Sequence, residues 1–156
     1  MKSADVRVLL VSGEYPPDEG GVADYTRCLA DAIASEGVDV EVVTSTHDDA
    51  ARPKPDPSHA PHTVHRIVDA WGWGSLRQLT STVERRSADI VHVQYQAAAF
   101  GMGPAIHAAT WWVGRRTAAA SAVTYHDLRE PYLFPKAGRV RRMALEALAR
   151  HADLTI

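Results

Sequence analysis

The sequence predicts an α/β fold in which a parallel sheet is covered by helices on both faces. Segments with strand character alternate with segments of helical periodicity along the chain. Several of the strands are almost continuously apolar, as strands buried on both faces are. The chain has 156 residues, 46% of them hydrophobic, which suffices for one domain with a substantial core. We therefore expect residues 1–156 to form a single domain.

The first third of the chain predicts a β-α-β unit. Strands are predicted over 6–11 and 38–44, with Gly37 ending the helix between them as its C-cap. The helix presents one apolar stripe at three- and four-residue steps, formed by Val22, Tyr25, Leu29 and Ile33. We expect Cys28 to pack within this helix. It is the single cysteine, so no internal disulfide forms, as is typical of proteins in a reducing compartment.

The rest of the chain continues the alternation. Residues 47–61 lack a period and predict a loop. The elements expected after it are strand 64–68, helix 75–87, strand 89–95, helix 104–115, strand 120–125, helix 138–151 and a strand beginning at 153. In parallel sheets, ligands bind outside the carboxyl ends of the strands. Three unusual segments follow strands there: 13–21, 94–96 and 126–127.

The stretch G-E-Y-P-P-D-E-G-G leads from the first strand into the first helix. The first amides of a helix have no internal partner, so they form an anion site where no side chain blocks the approach. Gly20 and Gly21 remove the side chains at that point. The pattern is neither the dinucleotide fingerprint nor the Walker phosphate loop. A turn in which glycine supplies positive φ is the alternative interpretation.

Several motifs resemble one enzyme family. They are V-R-V-L-L-V-S-G-E-Y-P-P-D-E-G-G-V-A-D-Y, A-S-E-G-V-D-V-E-V-V-T, A-D-I-V-H-V-Q-Y-Q, V-T-Y-H-D-L-R-E-P-Y-L-F-P-K-A-G and A-L-A-R-H-A-D-L-T-I. Together they resemble the amino-terminal domain of the retaining glycosyltransferases of family 4. That family has the GT-B fold of two facing Rossmann-like domains. The resemblance implies a doubly wound, Rossmann-like parallel sheet, covers nearly the whole chain, and is weakest over 47–73.

The resemblance also implies roles for individual residues. Gly20 and Gly21 would close onto the diphosphate of a nucleotide-sugar, which is a co-substrate; no cofactor and no metal are expected. His126 would lie beside the reacting centre with Asp127, although a strand-end histidine is also a common structural residue and aspartate a common turn residue. The polar groups expected to bind a sugar or lipid-linked acceptor are those of Tyr15, Gln94, Tyr95 and Gln96. Tyr95 has the alternative of a core position.

The family's donor-binding carboxyl-terminal half, with its basic Arg and Lys pair and E-x7-E motif, is absent from the sequence. We therefore expect a truncated amino-terminal domain that is inactive as an isolated chain and associates into homo-oligomers through 152–156 or by exchange of helix 138–151. A non-catalytic α/β binding module derived from the same fold is the alternative. A nucleotide-binding oxidoreductase is disfavoured, because the fingerprint is missing and Thr44, Ser45 and Thr46 stand where a ribose-binding acid is expected.

Composition and side-chain clusters bear on which classes of partner the chain can bind. A formal net charge of -2 gives no basic footprint for nucleic acid. His59, His62 and His65 could suggest a metal, but a coil with no supporting thiolate or carboxylate set disfavours it. Trp71 and Trp73 either stack on an acceptor or cover the sheet edge, and 111–112 is expected in helix packing. The cations in 136–150 beside 132–134 suggest membrane contact, with a solvated helix face as the alternative. We expect a cytoplasmic location, peripheral to the inner face of the membrane if contact occurs.

Overall fold

The computed structural model describes residues 6–46, 61–127 and 138–156. In these ranges six parallel strands form one sheet in the order β3-β2-β1-β4-β5-β6. The strands are β1 (Arg7–Ser12), β2 (Asp39–Ser45), β3 (Thr63–Val68), β4 (Ile90–Tyr95), β5 (Ala120–Tyr125) and β6 (Leu154–Thr155). The helices are α1 (Gly21–Ser35), α2 (Trp73–Arg86), α3 (Ala109–Arg116), which follows a 3-10 turn over Pro104–Ala108, and α4 (Gly138–Arg150).

The strand order confirms the doubly wound, Rossmann-like α/β fold that the sequence predicts. β1 is central and pairs with β2 on one side and with β4 on the other. The chain therefore winds outward from β1 in one direction and returns to start the other half beside it, which creates a crevice at the carboxyl ends of β1 and β4. Gly37 has φ of +79° and lies just beyond α1, as the predicted C-cap does.

The core is divided between the two faces of the sheet. Leu10, Val40 and Val42 pack with Ala30 of α1 on one face. The opposite face is covered by α2, α3 and α4, and its buried apolar strand residues are Leu9, Val11, Val43, Val68, Val91, Val93, Tyr95 and Val123. Alternate residues of β1 and β2 are buried on opposite faces of the sheet, which is why these two strands form almost continuous apolar runs in the sequence.

The buried face of α1 differs from the predicted stripe at Tyr25, whereas Val22 is buried and Leu29 and Ile33 pack against the core as predicted. Its buried residues are Val22, Ala23, Thr26 and Ala30. Thr26 can be buried because its hydroxyl donates to the carbonyl of Val22 at 2.7 Å. The face is rotated from the expected one, so Tyr25 is 45% exposed. Cys28 is exposed as well, and the prediction that it packs within the helix is wrong.

No helix within the described ranges is long and apolar enough to cross a bilayer.

Candidate functional site

A cleft of about 810 Å³ opens at the carboxyl ends of β1 to β4. It is lined by the loop after β1, by residues 69–72 after β3, and by the loop between β4 and the 3-10 turn. Four of its lining side chains are carboxylates, from Glu14, Asp18, Glu19 and Asp69. No lysine or arginine is among the lining residues in the described part of the chain. The cleft is therefore a region of negative potential.

Two glycines let the loops around this cleft cross at backbone distance. A β-carbon at Gly13 would overlap the carbonyl oxygen of Ala99, and one at Gly103 would overlap that of Trp71. Both obstacles are main-chain atoms, which cannot rotate away as a side chain can. We call this group of four residues, Gly13, Trp71, Ala99 and Gly103, the glycine crossing. It fixes the relative position of the loops that follow β1, β3 and β4.

The predicted diphosphate loop lies next to the crossing. Gly20 is the N-cap of α1 and has extended backbone, and no side chain caps the helix. The first amides of α1 are therefore not occupied by a capping side chain. A β-carbon at Gly21 would meet no atom within 4 Å, whereas one at Gly20 would overlap the carboxylate of Glu14. The open approach to the helix thus lies at Gly21, and Glu14 lies over Gly20.

Tyr15 is buried and holds the same loop against the sheet. Its hydroxyl lies 2.5 Å from Nε2 of His62. Burial, followed by the charge of Asp31, raises the pKa of Tyr15 to about 12, so the phenol stays protonated and donates. His62 Nδ1 lies 3.2 Å from an Asp31 carboxylate oxygen, but off line for a hydrogen bond. Arg66 donates to the carbonyl oxygens of Tyr15 and Pro16. These contacts make Tyr15 a structural anchor of the loop.

His126 follows β5 and is held by three contacts, two from β4 and one from α1. Its Nε2 lies 2.9 Å from Oε1 of Gln94, and its backbone N–H donates to the Tyr95 carbonyl at 2.9 Å. The ring of Tyr25 meets the imidazole edge to face, with centroids 4.7 Å apart. We call Tyr25, Gln94 and His126 the histidine corner. Burial lowers the pKa of His126, which favours the neutral imidazole.

A second polar contact lies beside the corner on the same sheet face. His92, two positions before Gln94 on β4, bonds through Nε2 to the Thr124 hydroxyl at 2.8 Å. Burial, then the nearby charge of His126, lowers the pKa of His92. Gln94 itself is 0% exposed, and its Nε2 has no hydrogen-bond partner within the described ranges. The polar residues of β4 therefore point to the face that α1 covers at the neighbouring strand.

Tyr95 lies in the core, which is the alternative position that the sequence analysis allows for it. It is 1% exposed, and its hydroxyl bonds to Nε2 of His107 at 2.8 Å. Burial raises the pKa of Tyr95 to about 12, with a further contribution from the charge of Asp127. Burial lowers the pKa of His107. Tyr95 is therefore the protonated donor in a neutral pair.

The predicted site residues fall into two groups. Gly20, Gly21, His126 and Asp127 lie along the carboxyl edge of the sheet, where the sequence places them. The predicted acceptor side chains of Tyr15, Gln94 and Tyr95 are buried and contact protein groups, while Gln96 is half-buried. In this structure these three side chains are held by protein contacts, and a direct contact with an acceptor stays a prediction.

The tryptophans and histidines singled out in the sequence also differ in burial and in their contacts. Trp71 is buried, packs edge to face on Phe100 and donates from Nε1 to the Ser45 hydroxyl at 2.8 Å. Trp73 is 62% exposed beside Trp111, which lies at the rim of a smaller groove of about 310 Å³. Of the predicted histidine series, His65 contacts the Glu41 carboxylate at 2.5 Å and His59 lies outside the described residues. The 111–112 pair splits, since Trp112 packs on the core and Trp111 faces outward.

Sequence reasoning missed several residues that shape this edge. Gly13 belongs to the quoted loop but was not predicted to be constrained, and its position directly after an apolar strand was the available signal. Tyr25 was expected in the core. Asp31 and His107 carried no local signal, because their partners are distant in sequence; Tyr15 and His62, for example, are 47 positions apart.

Comparisons with known proteins identify the family and agree with the fold. Residues 20–156 match the model of a family described as glycosyl transferase 4-like domain. The fold is similar to that of sucrose-phosphate synthase from Thermosynechococcus elongatus, with a TM-score of 0.69 and 18% identity over 96% of this chain and 41% of that chain. A second structure of that protein matches with a TM-score of 0.58 and 16% identity, over 96% of this chain and 74% of the other. No curated protein sequence matches the chain.

Proposed function

Because the chain belongs to the glycosyl transferase 4-like domain family, we propose that it is the amino-terminal, acceptor-side domain of a retaining glycosyltransferase. The transferred group is a sugar from a nucleotide-sugar donor, and the acceptor is a sugar or a lipid-linked acceptor. The chain spans 41% of the first structural neighbour, so this activity is proposed for a longer polypeptide that also carries a donor-binding domain. Groups on that second domain would stabilise the leaving diphosphate, so we expect no turnover from these residues alone.

One observation carries the proposal: the uncapped amino terminus of α1 lies next to the histidine corner. Tyr25 is the fifth residue of α1 and contacts the imidazole of His126. Four residues of helix rise by about 6 Å, so Tyr25, which contacts His126, lies roughly one turn along α1 from Gly21. A sugar diphosphate whose phosphates meet the helix amides would have its sugar within reach of the imidazole. Retention of configuration rests on the family resemblance alone.

The acidic cleft favours an acceptor that presents hydroxyl groups. Carboxylates accept hydrogen bonds from several hydroxyls at once. Glu14 and Asp69 lie on opposite loops of the cleft, and Gln96 adds an amide beyond β4. We assign Tyr15 and Tyr95 to the support of these loops and retain Gln96 as a direct acceptor contact.

Peripheral membrane contact is part of the same proposal, and the exposed face of α4 supports it. Val140 and Met143 are 67% and 66% exposed, and Arg139 and Arg142 flank them. Apolar side chains among arginines match a surface of anionic lipid. Co-sedimentation with vesicles tests this contact: binding to phosphatidylserine vesicles that is lost in Val140→Glu/Met143→Glu supports it, and equal recovery of both proteins in the supernatant contradicts it.

The transferase proposal is tested on the full-length protein with a panel of nucleotide-sugars. Hydrolysis or transfer from one donor, with the product anomer matching that of the donor, is the expected result. Binding of a donor without turnover under any acceptor would instead favour the alternative of a non-catalytic binding module. Absence of both binding and turnover would contradict the proposal.

A further inference from the structure

The residue that holds the imidazole of the histidine corner is itself wholly buried. Gln94 lies near the end of β4, where it pairs with Ser12 of β1 and Thr124 of β5. Its relative exposure is 0%. An incoming sugar therefore cannot reach the amide without displacing the surrounding protein. Any effect of Gln94 on a ligand must pass through its neighbour His126.

A glutamine is an unfavourable choice for this position on packing grounds alone. The amide makes one hydrogen bond, through Oε1, and its Nε2 has no partner within the described ranges. A buried donor without a partner lowers stability, and apolar residues fill such sites without that loss. Residues that break a packing rule in this way are found at functional sites more often than elsewhere. The amide is retained beside the one strand-end histidine of the corner.

We infer that Gln94 is a positioning residue that holds His126 as the tautomer protonated on Nε2. The geometry behind the inference is the 2.9 Å contact between Nε2 and the amide oxygen, which accepts and cannot donate. The second ring nitrogen, Nδ1, then carries a lone pair. Edge-to-face contact with Tyr25 and the backbone bond to Tyr95 keep the ring from turning.

The tautomer determines what His126 can recognise. With Nε2–H committed to Gln94, Nδ1 is left as a hydrogen-bond acceptor, so it pairs with a hydroxyl that donates and not with a carbonyl or phosphate oxygen. This role in sugar recognition rests on the proposed function. The hydrogen bond and the tautomer do not, because they are properties of the folded chain without any substrate.

A neighbouring pair provides an internal control. His92 and Thr124 form a similar contact, at 2.8 Å, on the same face of the sheet. The Thr124 hydroxyl can donate or accept, so that contact does not impose one tautomer on its histidine. Loss of the Thr124 hydroxyl should therefore leave His126 as it is, while loss of the Gln94 amide should not.

The experiment is imidazole ¹⁵N NMR of the 156-residue chain at neutral pH, comparing the natural sequence with three variants. Gln94→Met keeps an unbranched side chain of similar length and removes the hydrogen bond. Gln94→Glu keeps an acceptor oxygen at the same place. Thr124→Val is the matched control. Melting curves establish that each variant folds.

We expect His126 in the natural chain to be predominantly the Nε2–H tautomer. Gln94→Met should shift the tautomer ratio by roughly twofold to tenfold toward Nδ1–H, which corresponds to one hydrogen bond. Gln94→Glu should restore Nε2–H, and Thr124→Val should leave the ratio unchanged. An Nδ1–H tautomer in the natural chain overturns the inference, as does an equal shift in the Met and Val variants. If Gln94→Met does not fold, Gln94→Glu provides the test, and absence of the Nε2–H signal of His126 in that variant overturns the inference.

Activity of the full-length protein is measured separately, so that the two proposals can fail independently. Where the protein has transferase activity, Gln94→Met should lower kcat about tenfold, and Gln94→Glu should recover part of it. The expected NMR shifts in a protein with no transferase activity would leave Gln94 as a positioning residue and would count against the proposed function alone.

Discussion

The glycine crossing and the histidine corner lie on the same edge of the sheet, yet they are built from different parts of the chain. At the crossing, main-chain atoms of Gly13 and Ala99 meet so closely that no side chain fits between them. At the corner, the shape is set by the side chains of Tyr25, Gln94 and His126. The first arrangement tolerates no added atoms, whereas the second can lose a functional group and keep the backbone in place. Stability and chemistry are therefore separable along this edge.

The largest effect on stability is expected when one methyl group is added at the glycine crossing. Gly13→Ala should lower the free energy of unfolding by about 3 kcal/mol, because the new β-carbon overlaps a backbone carbonyl that cannot move aside. Gly114→Ala is the matched control, since a β-carbon in α3 meets no atom within 4 Å and should raise stability by about 0.5 to 1 kcal/mol. Urea denaturation measures both. Equal stability of the two variants would show that the loops can separate freely.

The corner is expected to respond in the opposite way. In the full-length protein, His126→Ala should lower turnover at least tenfold while the free energy of unfolding falls by only about 1 kcal/mol, since one hydrogen bond is lost. His107→Phe serves as the control, because His107 bonds to buried Tyr95 and should affect the melting temperature more than turnover. Steady-state kinetics with thermal melts decide the matter. A sharp loss of stability in His126→Ala with full activity would make His126 a structural residue.

A smaller effect is expected at the amino terminus of α1, between the two regions. Gly21→Val should leave the fold intact, because a β-carbon at this position meets no atom within 4 Å, and should raise the donor KM several-fold by covering the helix amides. At Gly74, the second position of α2, an added β-carbon likewise meets no atom within 4 Å, so Gly74→Val controls for the lower helix propensity of valine. Donor titrations of the full-length variants provide the measurement. An unchanged KM would remove Gly21 from the donor site.

The smallest effect is a loss of stability in mild acid. Burial lowers the pKa values of His62, His92, His107 and His126 below the ordinary value of 6.5. Below pH 6.5 the unfolded chain binds protons that these buried rings exclude, so stability should be constant at higher pH and decline as pH falls from 6.5 toward the folded-state values. Urea midpoints between pH 8 and 5 record this trend. His107→Phe should reduce the slope, and a rise in stability on acidification would contradict the assignment.

The sequence predicted the parts of the molecule that depend on local patterns. Apolar runs and helical periodicity placed the sheet, and family motifs placed Gly21 and His126 at its carboxyl edge. The rotation of α1 was not predictable in this way, because the burial of Thr26 depends on a hydroxyl bond inside the helix and that of Ala23 on close approach to the sheet. Tyr25 is predicted to lie in the core because it belongs to the apolar stripe, and the local pattern does not show that the buried face is centred on its neighbours instead.

The contacts that escaped prediction are those between distant segments. The close approach of Gly13 to Ala99 and the burial of Gln94 arise only when β1 and β4 lie side by side. No pattern within either strand specifies that the two strands are neighbours. Residues 47–60 and 128–137 lie outside the described residues. The first range is part of the segment 47–73, where the resemblance is weakest, and the second range precedes α4.

The central place of β1 determines the order in which this domain can acquire its structure. β1 must pair with β4, and the backbone N–H of Arg7 donates to a carboxylate of Asp89, 82 positions away. Joining these segments requires closing a long loop, and the entropy of loop closure is lost before the contacts between β1 and β4 form, which slows folding. During synthesis β1, β2 and β3 can form first, but one edge of β1 then has no neighbour until residues 90–95 leave the ribosome. A nascent chain paused before β4 therefore exposes an unpaired central strand, and it is at that stage that the protein most needs a chaperone.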